Sequence, residues 1–120
     1  MSLSTTISAN FKTLQSAAGV DIVYARGDRT VSLRAVPGDT SFVQQTGEGY
    51  METVESRDFI FPASDLSLGG TAVLPDRGDM ITETVNGVEQ SYPVTSGGGS
   101  RYFRYADPYR TILRVHTKLT

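Results

Sequence analysis

Hydrophobic residues recur at helical spacing only near the N-terminus. Four of them lie three or four positions apart: Ile7, Phe11, Leu14 and Ala18. Ser4 stands before them in the position of an N-cap. Gly19 follows as a C-terminal stop, because glycine tolerates the left-handed backbone that ends many helices. The pattern predicts one helix over about residues 4–18, held in place by packing because it is short.

From residue 20 onward, apolar and polar residues alternate as they do in β-strands. Gly27-Asp28 offers a turn before a second strand-like run at residues 30–36. Pro, Gly and Asp at residues 37–39 are expected to end that run in another turn. Residues 40–49 have little periodicity and are predicted to form a long loop, which in a small domain is usually functional or disordered.

The second half of the chain continues in short extended segments separated by turn residues. Residues 50–61 are predicted to be extended, and residues 63–79 to be irregular. The clearest local element is a hairpin over residues 80–94, because Asn86-Gly87 between two strand-like runs accepts the positive φ of a tight turn. Residues 95–100 are predicted to be a flexible glycine-rich turn.

A last strand is predicted over residues 109–117. One face carries Tyr109, Thr111, Leu113, Val115 and Thr117, and the other carries Arg110, Ile112, Arg114, His116 and Lys118. The first face is mostly apolar and the second is largely basic. One helix followed by about six strands predicts a mainly β fold, either a small antiparallel β-barrel or a sandwich, with residues 1–120 as a single domain and residues 20–118 as its β-rich part.

Composition excludes several classes of site in this chain of 120 residues. With no cysteine and one histidine, the chain has no disulfides, no thiolate metal site, no cysteine nucleophile and no site built on a histidine pair. No apolar run approaches the roughly 20 residues of a membrane span, and the N-terminus lacks the features of a signal peptide. We therefore expect a cytoplasmic protein without a membrane partner.

Charge is distributed unevenly along the chain. Residues 46–92 hold nine acidic side chains against two arginines, whereas residues 93–120 hold five basic side chains against one aspartate. Such blocks are typical of solvated strand faces and loops. They also suit contacts between copies, in which the acidic surface of one protomer meets the basic surface of the next.

No arrangement of titratable residues predicts catalysis or metal binding. Four aspartates, Asp58, Asp65, Asp76 and Asp79, match no calcium-loop spacing and are interpreted as solvated turn residues. His116 has no carboxylate neighbour in sequence and is expected at the surface. We therefore expect no catalytic residue, no metal site and no cofactor.

Aromatic and basic residues alternate in Arg101-Tyr102-Phe103-Arg104-Tyr105 and again in Tyr109-Arg110. Proteins that bind single-stranded nucleic acid use this mixture, since bases stack on rings and phosphates meet arginines. Alternation on a strand would instead place the rings in the core and the arginines in solvent. A small single-strand-binding module is therefore an alternative function.

Residues 55–118 resemble the head–tail joining (head completion, or neck) proteins of tailed phages and prophages. The resemblance is carried by the order and spacing of the segments Glu55-Ser56-Arg57-Asp58-Phe59-Ile60-Phe61-Pro62-Ala63, Leu74-Pro75-Asp76-Arg77-Gly78-Asp79-Met80-Ile81, Tyr92-Pro93-Val94 and Tyr105-Ala106-Asp107-Pro108-Tyr109-Arg110-Thr111-Ile112-Leu113-Arg114-Val115-His116-Thr117-Lys118.

The resemblance implies a structural virion protein and not an enzyme. Such proteins form a homo-oligomeric ring beneath the portal, complete the DNA-filled head and offer a surface on which the tail docks. The implied partners are portal or adaptor proteins, a tail terminator, and DNA that passes without sequence specificity. The implied location is the virion neck, reached from the host cytoplasm during assembly. Tail termination is a second alternative function, because it also uses small β-rich ring proteins.

Two sets of residues are predicted to act in such a ring. The first set would line or narrow the DNA channel: Gln44, Gln45, Thr46, Gly47, Glu48 and Gly49. The second set would form the contact between copies, with Arg110, Arg114 and Lys118 on one side and Glu52, Glu55 and Glu83 on the other.

Overall fold

The computed structural model describes residues 3–45, 47–95 and 102–118. These residues form one α-helix, nine β-strands and a 3-10 turn at Ala63–Asp65. The elements are α1 (Leu3–Ala18), β1 (Val20–Arg26), β2 (Arg29–Gln45), β3 (Met51–Pro62), β4 (Ser67–Leu68), β5 (Thr71–Ala72), β6 (Met80–Val85), β7 (Val88–Pro93), β8 (Phe103–Tyr105) and β9 (Ile112–Lys118). The prediction of a mainly β fold with one N-terminal helix is confirmed. Across the described ranges, no helix has the length and apolar character needed to cross a membrane.

Seven of the strands form one antiparallel sheet in the order β7-β6-β1-β2-β3-β9-β8, and β4 pairs separately with β5. The long strand β2 joins the two halves of the sheet, since it pairs with β1 up to Ala35 and with β3 from Val36 onward. The sheet curls until Val94, just after β7, forms a bridge with Thr117 in β9. It does not close into a barrel, so the two halves face each other as in a sandwich.

Side chains from both halves fill the space between them. The fully buried apolar residues include Tyr24, Phe59, Phe61, Leu66, Ile81, Leu113 and Val115. The rings of Phe59 in β3 and Tyr92 in β7 lie 6.0 Å apart, centroid to centroid, and thus connect the halves. Burying a side chain of this size contributes about 1.5–3 kcal/mol, so this core stabilises the curled sheet.

The N-terminal helix covers one side of the sheet. Its Phe11 is buried against three apolar residues, Val36, Ile60 and Ile112. The predicted end at Gly19 is correct, but the reason differs, because Gly19 is not among the residues with positive φ. A Cβ at Gly19 would lie 2.3 Å from the Gln15 carbonyl oxygen, so close packing requires glycine there. The side chains of Ser4 and Ile7 lie outside the described part of the chain.

Two predictions are wrong: residues 37–39 do not form a turn, and residues 40–45 of the predicted loop do not form a loop. The strand β2 continues through both segments and pairs with β3 at every position from Val36 to Gln45. This long pairing outweighs the local turn preference of Pro37 and its neighbours. Proline is tolerated because β1 no longer pairs with β2 beyond Ala35, so that edge needs no N–H donor.

Several local predictions from turn chemistry are confirmed. Residues 63–79 are irregular apart from the 3-10 turn and the short pair β4–β5. The β6–β7 hairpin turns at Asn86 and Gly87, with φ values of 53° and 79°. Of the predicted glycine-rich turn, Thr95 is described, whereas residues 96–100 lie outside the described residues.

The last strand is shorter than predicted and is buried on both faces. It begins at Ile112, and Arg110 lies before it in a turn with a φ of 59°. On the face predicted to be basic, Ile112 packs against Phe11 of α1 and His116 is 6% exposed. The expectation that His116 lies at the surface is therefore wrong, because α1 and the neighbouring strands cover much of that face.

Candidate functional site

A buried carboxylate in β3 contacts side chains of three strands, β2, β3 and β9, near the C-terminal end of β9. Asp58 in β3 is fully buried and lies opposite His116 in β9. It accepts hydrogen bonds from Ser56 Oγ at 2.6 Å and from Arg114 Nε at 2.7 Å. Thr40 Oγ1 of β2 donates a further hydrogen bond, and His116 Nδ1 lies 3.0 Å from Asp58 Oδ1. We call these five residues the Asp58 cluster.

The Asp58 cluster stabilises the ionised carboxylate. Burial alone would raise the pKa of Asp58, but hydrogen bonds from its four partners outweigh burial and lower the pKa to about 2. Arg114 Nη2 also donates to the Asp39 carbonyl oxygen at 2.9 Å. The guanidinium therefore links β9 to both β3 and β2, and the cluster acts as a structural clamp.

A second ion pair joins the two halves of the sheet. Arg57 in β3 binds Glu83 in β6 with two contacts of 3.0 Å. Glu83 is 2% exposed and also accepts a hydrogen bond of 2.9 Å from Tyr92 Oη. Burial and this hydrogen bond raise the pKa of Tyr92. Because β3 and β6 are not neighbours in the sheet, the pair holds the two halves face to face.

A third buried carboxylate fixes the irregular segment before β6. Asp79 accepts hydrogen bonds from Tyr24 Oη, from Arg26 Nε at 2.9 Å and from the Asp76 backbone N–H at 2.9 Å. Burial opposes ionisation of Asp79, but the contact with Arg26 and the other hydrogen bonds lower its pKa. Arg26 Nη2 also donates to the Leu74 carbonyl at 2.7 Å. These contacts hold residues 74–79 against β1.

The segment with alternating aromatic and basic residues packs its rings inward. Three rings lie partly buried against the core: Tyr102, Phe103 and Tyr105. Asp107 closes the following turn by accepting hydrogen bonds from the Thr111 and Ile112 backbone N–H groups, each at 2.9 Å. Because the rings serve the core, the feature that suggested a single-strand-binding module is explained by packing.

The β2–β3 hairpin extends past the rest of the sheet. Ser56 of β3 pairs with Lys118 at the end of β9. Between that pair and the hairpin turn, β2 and β3 pair only with each other among the described residues. We call residues 41–55 the arm. It contains five paired positions on each strand, from Ser41–Glu55 to Gln45–Met51, a length of about 17 Å. The molecule is accordingly elongated, at 52 × 32 × 29 Å.

A family model for phage head-tail joining proteins matches residues 1–120. The chain belongs to the phage head-tail joining protein family. The match extends beyond the region on which the sequence resemblance depended and includes α1, β1 and the arm. The comparison with curated proteins finds no match.

Membership of the head-tail joining family defines the general role. Proteins of this family are structural and not enzymatic, and the family places the chain in the virion at the head-tail junction with virion partners. Among the described residues, no group of three or more histidine, aspartate or glutamate side chains is arranged to hold a metal ion.

The predicted channel residues lie at the end of the arm. Gln44 and Gln45 belong to β2, which corrects their assignment to a loop. Gly47, Glu48 and Gly49 form the exposed turn, with a φ of 90° at Gly49. Thr46 lies outside the described residues.

The predicted interface residues fall into two groups. Glu52, Glu55, Arg110 and Lys118 are exposed. Arg114 and Glu83 instead have partners within the chain, Asp58 and Arg57 respectively. The structure thus places the six residues apart. The acids Glu52 and Glu55 lie on the arm, Lys118 lies at its base, and Arg110 lies in the turn before β9. Glu83 lies in β6 and Arg114 in β9.

Sequence reasoning missed the buried ionic residues. The interpretation of Asp58 and Asp79 as solvated, and the expectation of an exposed His116, are wrong because all three side chains are buried. Their partners are remote in sequence, since Asp58 binds a histidine 58 positions away. A signal did exist: Ser56 and Asp58 in β3, and Arg114 and His116 in β9, lie two positions apart and therefore on the same face of their strands.

Proposed function

We propose that this head-tail joining protein forms a ring at the phage neck, completes the DNA-filled head and provides the surface on which the tail docks. The observation that carries the proposal is the family match over residues 1–120. A ring is the natural product of head-to-tail contacts that close by rotation. An elongated chain with an acidic arm at one end and exposed basic residues elsewhere has the asymmetry that such contacts need.

Contacts between copies are proposed to involve the exposed charges of the predicted interface. Arg110 and Lys118 would face Glu52 and Glu55 of the next copy, since opposite charges at an interface fix its orientation. Arg114 and Glu83 would take part only by exchanging partners, because each already forms an ion pair within its own chain. The exposed residues therefore carry this part of the proposal.

The tip of the arm is proposed to line or narrow the DNA channel. Glu48 is exposed in the turn between Gly47 and Gly49, and its negative charge would repel DNA phosphates and keep the passing DNA from adhering. Glu48→Lys should then slow DNA ejection or alter DNA retention, whereas Glu89→Lys on β7 should not. Unchanged retention and ejection in Glu48→Lys phage would contradict this role.

Deletion of the gene from its phage or prophage tests the proposed function. We expect electron microscopy to find DNA-filled or leaking heads beside complete, unattached tails. Tails of uncontrolled length would instead assign tail termination and refute head completion. Normal virions would refute the proposal altogether.

A further inference from the structure

We propose that the arm of one copy adds to the free edge of β8 on the next copy. The inference rests on the proposed ring and specifies the contact that builds it. Adding an extended segment to an exposed sheet edge is a common mode of protein recognition, in which backbone hydrogen bonds provide affinity and side chains provide specificity. The arm is a two-stranded ribbon, so it can supply such an edge without refolding.

Both outer edges of the arm are free within the described residues. On one side, β1 pairs with β2 only as far as Ala35. On the other side, β9 pairs with β3 only as far as Ser56. The backbone N–H and C=O groups along these edges lack a strand partner, which in natural proteins marks either a guarded edge or a docking edge.

The charges of the arm have no ion-pair partner among the described residues. Its acidic side chains, Glu48, Glu52 and Glu55, are all exposed, and the arm contains no lysine or arginine. By contrast, three buried carboxylates, Asp58, Asp79 and Glu83, each bind an arginine of the same chain. Like charge also disfavours pairing of one arm with another. The arm is therefore complementary to a basic edge.

The described sheet ends in two strands, β7 and β8, and charge distinguishes between them. β7 carries exposed Glu89, which would repel the arm. β8 carries exposed Arg104, and Arg104 lies directly opposite Arg114, whose own charge is already neutralised by Asp58. Because Arg114 is already paired with Asp58, Arg104 is the cation at this edge that an acid of the arm can meet. Arg110 follows nearby, with its guanidinium 5.9 Å from the centre of the Tyr105 ring.

The arm and the edge of β8 are kept apart within one chain. β9 lies between β3 and β8, and β8 pairs with residues 113–115 of β9, whereas the arm begins beyond Lys118 at its other end. Each copy thus offers one acidic arm and one basic edge at separate places. Surfaces of this kind join copies head to tail, and a closed series of them is a ring.

Photo-crosslinking in assembled particles tests which surface the arm contacts. Thr53 is exposed on β3 within the arm, and the photoreactive residue p-benzoylphenylalanine would replace it there. We expect crosslinks from Thr53 to residues 103–110 of another copy, and none to these residues from a matched probe at exposed Thr71 of β5. Crosslinks from Thr53 only to another virion protein or to DNA would overturn the inference.

Charge exchange tests whether the pairing is specific. Glu52→Lys with Glu55→Lys, and separately Arg104→Glu with Arg110→Glu, should each lower the yield of infectious particles by about tenfold or more, since like charges then meet. A chain carrying all four changes should recover most of that yield. Recovery no better than that of either pair alone would overturn the inference. Thermal unfolding of each purified variant checks that the exposed substitutions leave the fold intact.

Gene deletion and charge exchange together distinguish this inference from the proposed function. If deletion of the gene blocks head-tail joining but the four-charge exchange fails to restore it, the arm contact is wrong and the joining role stands. If deletion leaves normal virions, the proposed function fails first. A control variant, Glu89→Lys on β7, should leave the yield unchanged.

Discussion

Asn in place of Asp58 should destabilise the fold because it removes the charge around which the Asp58 cluster is built. Each pKa unit is worth about 1.4 kcal/mol, so lowering the pKa from 3.8 to about 2 makes the ionised carboxylate contribute about 2.5 kcal/mol to the free energy of unfolding at neutral pH. Asp58→Asn also leaves Arg114 without its carboxylate partner. We expect a total loss of about 2–4 kcal/mol at pH 7.

The cost of Asp58→Asn should depend on pH in a defined direction. A lowered pKa in the folded protein gives stability that is present above the unfolded pKa and is lost as the pH falls towards the folded value. About half of the 2.5 kcal/mol contribution is lost by pH 3, so the difference between wild type and variant should shrink by about 1 kcal/mol. Urea unfolding at pH 7 and pH 3 measures this difference.

Asp28→Asn is the matched control, because Asp28 is exposed in the turn between β1 and β2. It should change stability by less than about 0.5 kcal/mol at pH 7. A loss of less than about 0.5 kcal/mol for Asp58→Asn at pH 7, or a larger loss that is the same at pH 3, would refute the assignment of Asp58 as an ionised structural clamp.

Three further predictions concern backbone positions and the arm tip. Gly19→Ala should cost about 2 kcal/mol in urea unfolding, because the added Cβ would lie 2.3 Å from the Gln15 carbonyl oxygen, whereas Gly47→Ala meets open space and should be neutral. Asn86→Ala should cost about 1 kcal/mol because of its φ of 53°, and Asn86→Gly should be tolerated; equal losses would contradict the turn geometry. Glu48→Lys should leave thermal stability unchanged while altering DNA retention or ejection, and a fall in stability would show that Glu48 has a structural role.

Local chemistry was predictable from sequence where neighbouring residues decide the conformation. Asn86-Gly87 predicted the β6–β7 hairpin, and the helical spacing around Phe11 predicted α1, because turns and short helices depend on residues close in sequence. The same reasoning failed at residues 37–45. Their turn-forming residues are overridden by pairing with β3, in which the partner of Pro37 is Phe59, 22 positions away.

The buried ionic contacts could not be located from local sequence. Asp58, Asp79 and Glu83 resemble surface acids until the sheet curls and places arginines from distant strands beside them. A buried charge is tolerated only with such partners, and cross-strand register decides which partners meet. The family assignment succeeded on different grounds, since the order and spacing of several short segments carries information that no single segment holds.

The central claim is that copies of this chain form the joint between head and tail. Cryo-electron microscopy of the neck in purified virions tests it most directly. We predict a ring of this fold between the portal and the tail, with each arm lying along the β8 edge of the adjacent copy. A neck without this fold, or density for the chain only elsewhere in the particle, would contradict the claim.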